Sequence, residues 1–220
     1  TGDNKVAAEG RDWRQREYAL FQRFDQVYYP SQVEIDEIHA QQPEVNARAI
    51  PLYAFDNDSG LQSSNENRDG LLFVAGFNHP PNIDAMQWFV TEVLPLLRES
   101  KPDVTLHIVG SNAPQSITSL AAERIIVHGY VSDSDLQRLY RQCAVACVPL
   151  RYGAGIKGKV IEAIQHGIPL VTTNVGAEGI PEAASVMQIA DTAQEFASSC
   201  VNALEQQAQV RAMLERYPVY

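Results

Sequence analysis

The sequence predicts a doubly wound α/β domain with a mostly parallel sheet, preceded by a partial second α/β piece. Two observations carry this. From Gly70 onward, short runs that are apolar throughout alternate with amphipathic stretches; continuous apolar runs need cover on both faces, as parallel strands do. The stretches between them are mostly long enough for the helical crossovers that parallel strands require.

Leu71–Ala75 is the first buried-strand candidate. After the start signal Pro80-Pro81-Asn82, residues Ile83 to Leu97 follow with helical spacing. Val104–Val109 is the second strand, Gln115–Ala122 a short helix and Arg124–His128 the third strand. Ser132-Asp133-Ser134-Asp135 caps a helix through Arg141, and Ala144–Val148 is the fourth strand. Gly155 to Gln165 reads as a helix ending at Gly167, Ile168–Thr172 as a fifth strand, Val186–Ile189 as a sixth and Thr192–Leu204 as the terminal helix.

Before this rhythm begins, a helix (Asp12–Phe24), a strand (Gln26–Tyr29), a helix (Val33–Ala40) and a strand (Arg48–Phe55) make a piece too small to cover both faces of a sheet. The expected organisation is therefore a tail fragment of an amino-terminal domain over 1–56, a polar, turn-rich linker over 57–69, and a main domain over 70–220. The chain starts at Thr1 without an initiator Met and is expected to be part of a longer protein.

Composition excludes several classes. At 220 residues and 45% apolar, the chain can build a packed core, which excludes disorder as the main state. With 17 Lys and Arg against 27 Asp and Glu, the net charge is -10, a field that repels polyphosphate backbones and argues against a nucleic-acid partner. Cys143, Cys147 and Cys200 lack paired metal-ligand spacing, so free thiols in the cytoplasm are expected. Neither a signal sequence nor an apolar run of membrane-spanning length is evident.

In a doubly wound sheet, ligands bind beyond the carboxyl ends of the strands, where the strand order reverses. The stretch Gly153-Ala154-Gly155-Ile156-Lys157-Gly158-Lys159-Val160-Ile161-Glu162 lies there, after the fourth strand and opening a helix. Glycines allow close backbone approach, and the first amides of a helix point unpaired N–H groups at an anion. Lysines at a helix N-terminus oppose the macrodipole by about 0.3–1 kcal/mol, so folding alone favours acids there. A phosphate beside Lys157 or Lys159 converts that repulsion into charge-assisted bonds worth about 1.5–3 kcal/mol each. Glu162, three residues after Lys159, is placed to accept ribose hydroxyls, the alternative being a surface Lys-Glu pair. A Walker loop is excluded because Gly158-Lys159 is followed by Val160.

The run Val148 to Ala163, with Gly167-Ile168-Pro169-Leu170-Val171-Thr172-Thr173 and Val175-Gly176-Ala177-Glu178-Gly179, resembles the carboxy-terminal, donor-binding domain of group 1 glycosyltransferases of the GT-B fold. Phe77 to Asn82 with Trp88-Phe89, Leu106 to Gly110 and His128 to Val131 support it, so the likeness spans about 70–205. Asp25 to Ser31 and Ala49 to Leu52 are similar to the last strands of that family's acceptor domain.

The resemblance implies a Rossmann-like half of the GT-B fold and a role for each matching residue. Glu162 matches the second glutamate of the paired-glutamate motif, which holds the donor ribose. Gly153, Gly155 and Ile156 match the loop whose amides face the diphosphate, with Lys157 and Lys159 as charge partners. Tyr130 and Val131 match the loop that contacts the base; Gly76 and Asn78 face the diphosphate and cleft; Glu178 and Gly179 border the cleft. Two departures stand out. The first glutamate of the pair is replaced by Ala154, and Phe77 to Pro81 lacks the cations many relatives carry. The usual sugar contact is thus missing or replaced, and Lys157 and Lys159 are the available substitutes for the cations.

Other signals carry less. Asp133-Ser134-Asp135 reads as helix capping and not as a metal motif, and Asp56 to Gly60 lacks the later ligands of a calcium loop. Among the five histidines, His107 and His128 read as satisfied buried imidazoles, while His79 sits in the first loop of the domain. Trp88 and Phe89 read as core. A nucleophile-elbow signature is absent, and no Gly-x-Gly-x-x-Gly dinucleotide loop follows Val74.

The resemblance thus implies transfer of a sugar from a nucleoside-diphosphate sugar to a hydroxyl acceptor, with retention and without a metal or other cofactor. Saccharide or lipid-linked acceptors of polysaccharide assembly are the family's partners, allowing a transient position at the inner membrane face. The chain is expected to be mainly the donor-binding part and inactive alone. A non-catalytic nucleotide-sugar-binding domain and a GT-B-like sugar epimerase are the alternatives.

Overall fold

The computed structural model describes residues 2–50, 68–180 and 182–206, with 2–8 as backbone only. The chain divides into two units, Thr1–Tyr53 and Ala54–Tyr220. The expected linker over 57–69 falls outside the described residues except for Arg68 and Asp69.

In the first unit, α1 (Gly2–Phe21), β1 (Val27–Tyr29), α2 (Gln32–Gln41) and β2 (Ala47–Ala49) follow in order. The strands pair in parallel, Val27 opposite Ala47 and Tyr29 opposite Ala49. Ser31 caps α2, its hydroxyl accepting from the Glu34 amide. Phe21, Ile35, Ile38, Val45 and Ala47 form a small core of their own. Helix α1 is longer at its start than the expected Asp12–Phe24 and ends three residues sooner, where the chain turns into β1. Residues 51–55 of the expected fourth element lie outside the description.

The second unit is a six-stranded, wholly parallel sheet with helices on both faces. Its elements are β3 (Leu71–Val74), α3 (Pro80–Trp88), a π turn (Phe89–Val93), α4 (Leu94–Ser100), β4 (Leu106–Val109), α5 (Gln115–Thr118), β5 (Ile125–Gly129), α6 (Asp133–Gln142), β6 (Val145–Val148), α7 (Gly158–Gln165), β7 (Leu170–Thr172), α8 (Asn174–Ala177), α9 (Ala183–Val186), β8 (Gln188–Ile189) and α10 (Ala193–Glu205). The strand order is β5-β4-β3-β6-β7-β8, every pairing parallel. The order reverses between β3 and β6, so their outgoing loops splay apart and leave a crevice.

Alternation along the central strands divides the core. Leu71 and Phe73 of β3, with Val145 and Cys147 of β6, meet α3, α4 and α10 on one face. Leu72, Ala146 and Val148 meet α6 and α7 on the other. Phe196 of α10 packs edge-on against Trp88 and Phe89, each with ring centroids 5.9 Å apart, contacts worth about 0.5–1.5 kcal/mol beyond area burial. All three cysteines are free and buried, and the sulfurs of Cys147 and Cys200 lie 3.8 Å apart, between β6 and α10. His107 and His128 stack between neighbouring strands with Nδ1 and Nε2 2.9 Å apart, and burial lowers both pKa values.

Several boundaries differ from expectation for local reasons. The first long helix runs through Ser100 because Pro95, which cannot donate to the preceding turn, is accommodated by a π turn in which the Leu94 N–H reaches Phe89 O. The helix expected from Gly155 begins only at Gly158, since Gly155 takes φ +77°. The helix after β4 ends at Thr118, not Ala122. Val186 closes α9 instead of opening β8, and the one-turn helices α8 and α9 are not among the elements expected from the sequence. Gly110 has no room for a side chain: a Cβ there would stand 1.6 Å from Ala75 O, where the ends of β3 and β4 converge.

Candidate functional site

The two loops at the reversal point enclose a hollow of about 510 Å³. One wall is the turn after β3, carrying Gly76, Asn78 and His79 and continuing into Pro81 and Asn82. The other is Leu150 to Lys159, from the end of β6 into the first turn of α7. Its backbone needs glycine, with Gly153 at φ +119° and Gly155 at +77°. Arg151 fastens this loop to α3 through both carboxylate oxygens of Asp84, at 2.9 Å from Nε, and its guanidinium lies 5.8 Å from the Trp88 ring centroid. No carboxylate lines the hollow among the described residues.

Both lysines turn inward. The Lys157 side chain is 10% exposed; its ammonium donates to Gly153 O at 3.4 Å, to Gly155 O, and to Glu178 at 3.1 Å. Lys159 donates to Asn82 Oδ1 and lies 5.4 Å from the Phe73 ring centroid. Burial lowers its pKa to about 8, and the neighbouring Lys157 charge adds to the effect. Lys157 also stands at the N-cap position of α7, where its side chain makes no capping bond, and the first turn holds no acid. Of the leading amides of α7, that of Val160 donates to Lys157 O at 2.9 Å, which leaves those of Gly158 and Lys159 to face an anion.

The remaining expected site residues separate. Glu162 shares a helix with Lys159 but does not pair with it; it lies beside the buried Tyr140 hydroxyl of α6, which favours its charged form. Tyr140 is buried and stacks on His166 with centroids 4.2 Å apart. Burial raises the Glu162 pKa, and the Tyr140 hydroxyl partly offsets this. The surface Lys-Glu pair is not found among the described residues, although the two keep neighbouring positions, three apart, on α7. Tyr130 is 78% exposed beyond β5, after Gly129 at φ +69°, and Val131 beside it is half-buried. Gly76, Asn78, Gly153, Ile156, Lys157 and Lys159 thus line one hollow; Gly155, Tyr130, Val131, Glu162, Glu178 and Gly179 are not part of its lining, although Glu178 reaches it through Lys157.

Sequence reasoning missed Asn82 as part of the site. Its amide donates to Gly76 O at 2.7 Å and accepts from Lys159. After two prolines an asparagine reads as a helix start, and only the fold brings it to a lysine 77 residues later in the chain.

Residues 68–206 match the family described as glycosyl transferases group 1. The chain belongs to this family. Among curated proteins, an uncharacterized 44.6 kDa protein in the cps region of Klebsiella pneumoniae is 29% identical over 117 residues, 50% of this chain and 30% of the relative. Solved structures share the fold at low identity. TarM superposes with a TM-score of 0.73 at 15% identity, over 94% of this chain and 43% of its own. The pneumococcal O-GlcNAc transferase GtfA, solved with UDP and GlcNAc, gives 0.71 at 19%, over 94% and 45%. WaaG, a glycosyltransferase involved in lipopolysaccharide biosynthesis, gives 0.68 at 17%, over 88% and 59%. The chain thus spans less than two thirds of each. In this group 1 member, no helix among the described residues is long and apolar enough to cross a membrane.

Proposed function

We propose that this chain is the donor-binding part of a glycosyltransferase that moves a sugar from a nucleoside diphosphate to a hydroxyl acceptor. The observation that carries the reading is the carboxylate-free hollow at the sheet's reversal point, with two inward-turned ammonium groups beside an uncapped helix start.

As the glycosidic bond to the donor phosphate breaks, negative charge accumulates on the leaving diphosphate. Fixed donors that already point at that charge lower the barrier, because no reorganisation is needed at the moment of reaction. In this reading the amides near Gly153, Gly155 and Ile156, with Lys157 and Lys159, take the diphosphate. Glu162, beside Tyr140, takes the ribose; Tyr130 and Val131 take the base; Gly76, Asn78, Glu178 and Gly179 border the path of the sugar. The reaction retains configuration and uses no metal, and the acceptor is a saccharide or lipid-linked saccharide of polysaccharide assembly. The cps and lipopolysaccharide contexts of two relatives support that acceptor class.

Ala154 lines the hollow where the family motif has a carboxylate, which favours non-catalytic nucleotide-sugar binding as the second reading. Calorimetry with UDP, GDP and their sugars tests the site. Binding that weakens on Lys159→Ala is expected; unchanged affinity would falsify the diphosphate assignment. Donor hydrolysis or transfer by the full-length protein then separates enzyme from binder.

A further inference from the structure

We infer that Asn82 is a positioning residue of the diphosphate site, its amide tying the loop after β3 to α7 and holding the Lys159 ammonium on a neutral acceptor that an anion can displace. This rests on the diphosphate reading above.

The side chain is 7% exposed and uses both ends of its amide. The orientation is unambiguous: Gly76 O can only accept and an ammonium can only donate, so Nδ2 faces the first and Oδ1 the second. Few side chains meet both demands. An apolar residue leaves both groups unpaired, and a carboxylate sets an acceptor against Gly76 O. The helix dipole taken by itself favours an acid here, because Asn82 is the third residue of α3, after Pro80 and Pro81; the amide answers to Gly76 O and Lys159 instead.

A comparison of the two lysines explains the preference for an amide. Lys157 is already paired with the Glu178 carboxylate. Lys159 has the Asn82 carbonyl oxygen and the face of Phe73, neither carrying a charge. Its positive charge is therefore uncompensated by an ion pair and available to an incoming anion. An aspartate at this position converts Lys159 into a second internal ion pair and spends that charge within the protein. The other titratable groups near the hollow are Lys157 with Glu178, the His79 imidazole in its lining, and Asp84, which Arg151 occupies.

The test titrates pyrophosphate, UDP and GDP into the intact protein and into Asn82→Asp and Asn82→Ala, from pH 7 to 10, with thermal unfolding of each. Asn82→Asp is expected to bind all three probes roughly tenfold or more weakly at neutral pH while remaining folded, its new ion pair with Lys159 offsetting the lost bond to Gly76 O. In the unsubstituted protein, affinity is expected to decline above about pH 8 as Lys159 loses its proton; in Asn82→Asp the decline moves upward, because a carboxylate holds that proton. Asn82→Ala, which keeps the charge but releases the side chain, is expected to lose a few-fold. Unchanged affinity in either folded variant overturns the inference, as does a loss in Asn82→Asp that only tracks a fall in stability. Failure of the unsubstituted protein to bind any probe removes the diphosphate reading itself, and the inference with it.

Discussion

Helices α6 and α7 start on the same side of the same sheet, yet their first turns are opposites. In α6, the Ser132 hydroxyl accepts from the Asp135 amide at 3.2 Å, Asp133 and Asp135 occupy the first turn, and Arg138 pairs with Asp135 at 2.8 Å. Helix α10 is closed as completely, with a reciprocal capping box between Thr192 and Glu195. In α7, by contrast, a lysine occupies the N-cap position, no acid follows and a second lysine is buried nearby. The lesson is that where stability alone governs a helix end, the chain supplies its own negative charge; α7 lacks it, at a cost to folding, and in the diphosphate reading proposed above a ligand supplies it.

The sharpest way to break this comparison is Lys159→Met. Loss of one charge-assisted contact is expected to weaken pyrophosphate and UDP binding by about ten- to a hundredfold, read by calorimetry. The same substitution should stabilise the fold by about 1–3 kcal/mol at pH 7 in denaturant unfolding, because a buried cation without a counter-ion is replaced by an apolar side chain. A loss of stability would show that α7 is not strained in the manner described.

A pH series sharpens the point. Lys159 has a native pKa of about 8 against an ordinary 10.5. Below pH 8 it is protonated in both states, and the full cost of burying its charge is present. Between the two values the unfolded chain binds more protons, so stability gains up to about 1.4 kcal/mol per pH unit from this group. The advantage of Lys159→Met should therefore shrink from pH 7 to pH 10. The smallest effects belong to the closed ends: Ser132→Ala and Thr192→Ala should each cost about 1 kcal/mol of stability and leave nucleotide affinity unchanged.

The strands were legible because burial on both faces writes itself as unbroken apolar runs, as in Leu71–Val74 and Val145–Val148. The helix starts at Ser132 and Thr192 were legible because capping is local chemistry. The glycine-lysine loop was legible as a wall of the crevice at the reversal point, and its motif pointed to the family. What escaped depends on contacts between distant residues or on backbone angles. Spacing puts Lys159 and Glu162 on neighbouring helix positions, but Asn82 draws one and Tyr140 the other, so they part. The positive φ of Gly155 delays α7, and four-residue helices such as α8 and α9 are too short to show a period.

The buried cysteines supply a clock for motion. Cys147 and Cys200 sit at the seam between β6 and α10 with 0% exposure, and Cys143 is 1% exposed. A thiol reagent can reach them only when the domain opens. Alkylation rates, followed with and without nucleotide, would then read how strongly an occupied crevice locks the sheet and terminal helix together, using reporters that lie outside the lining of the hollow.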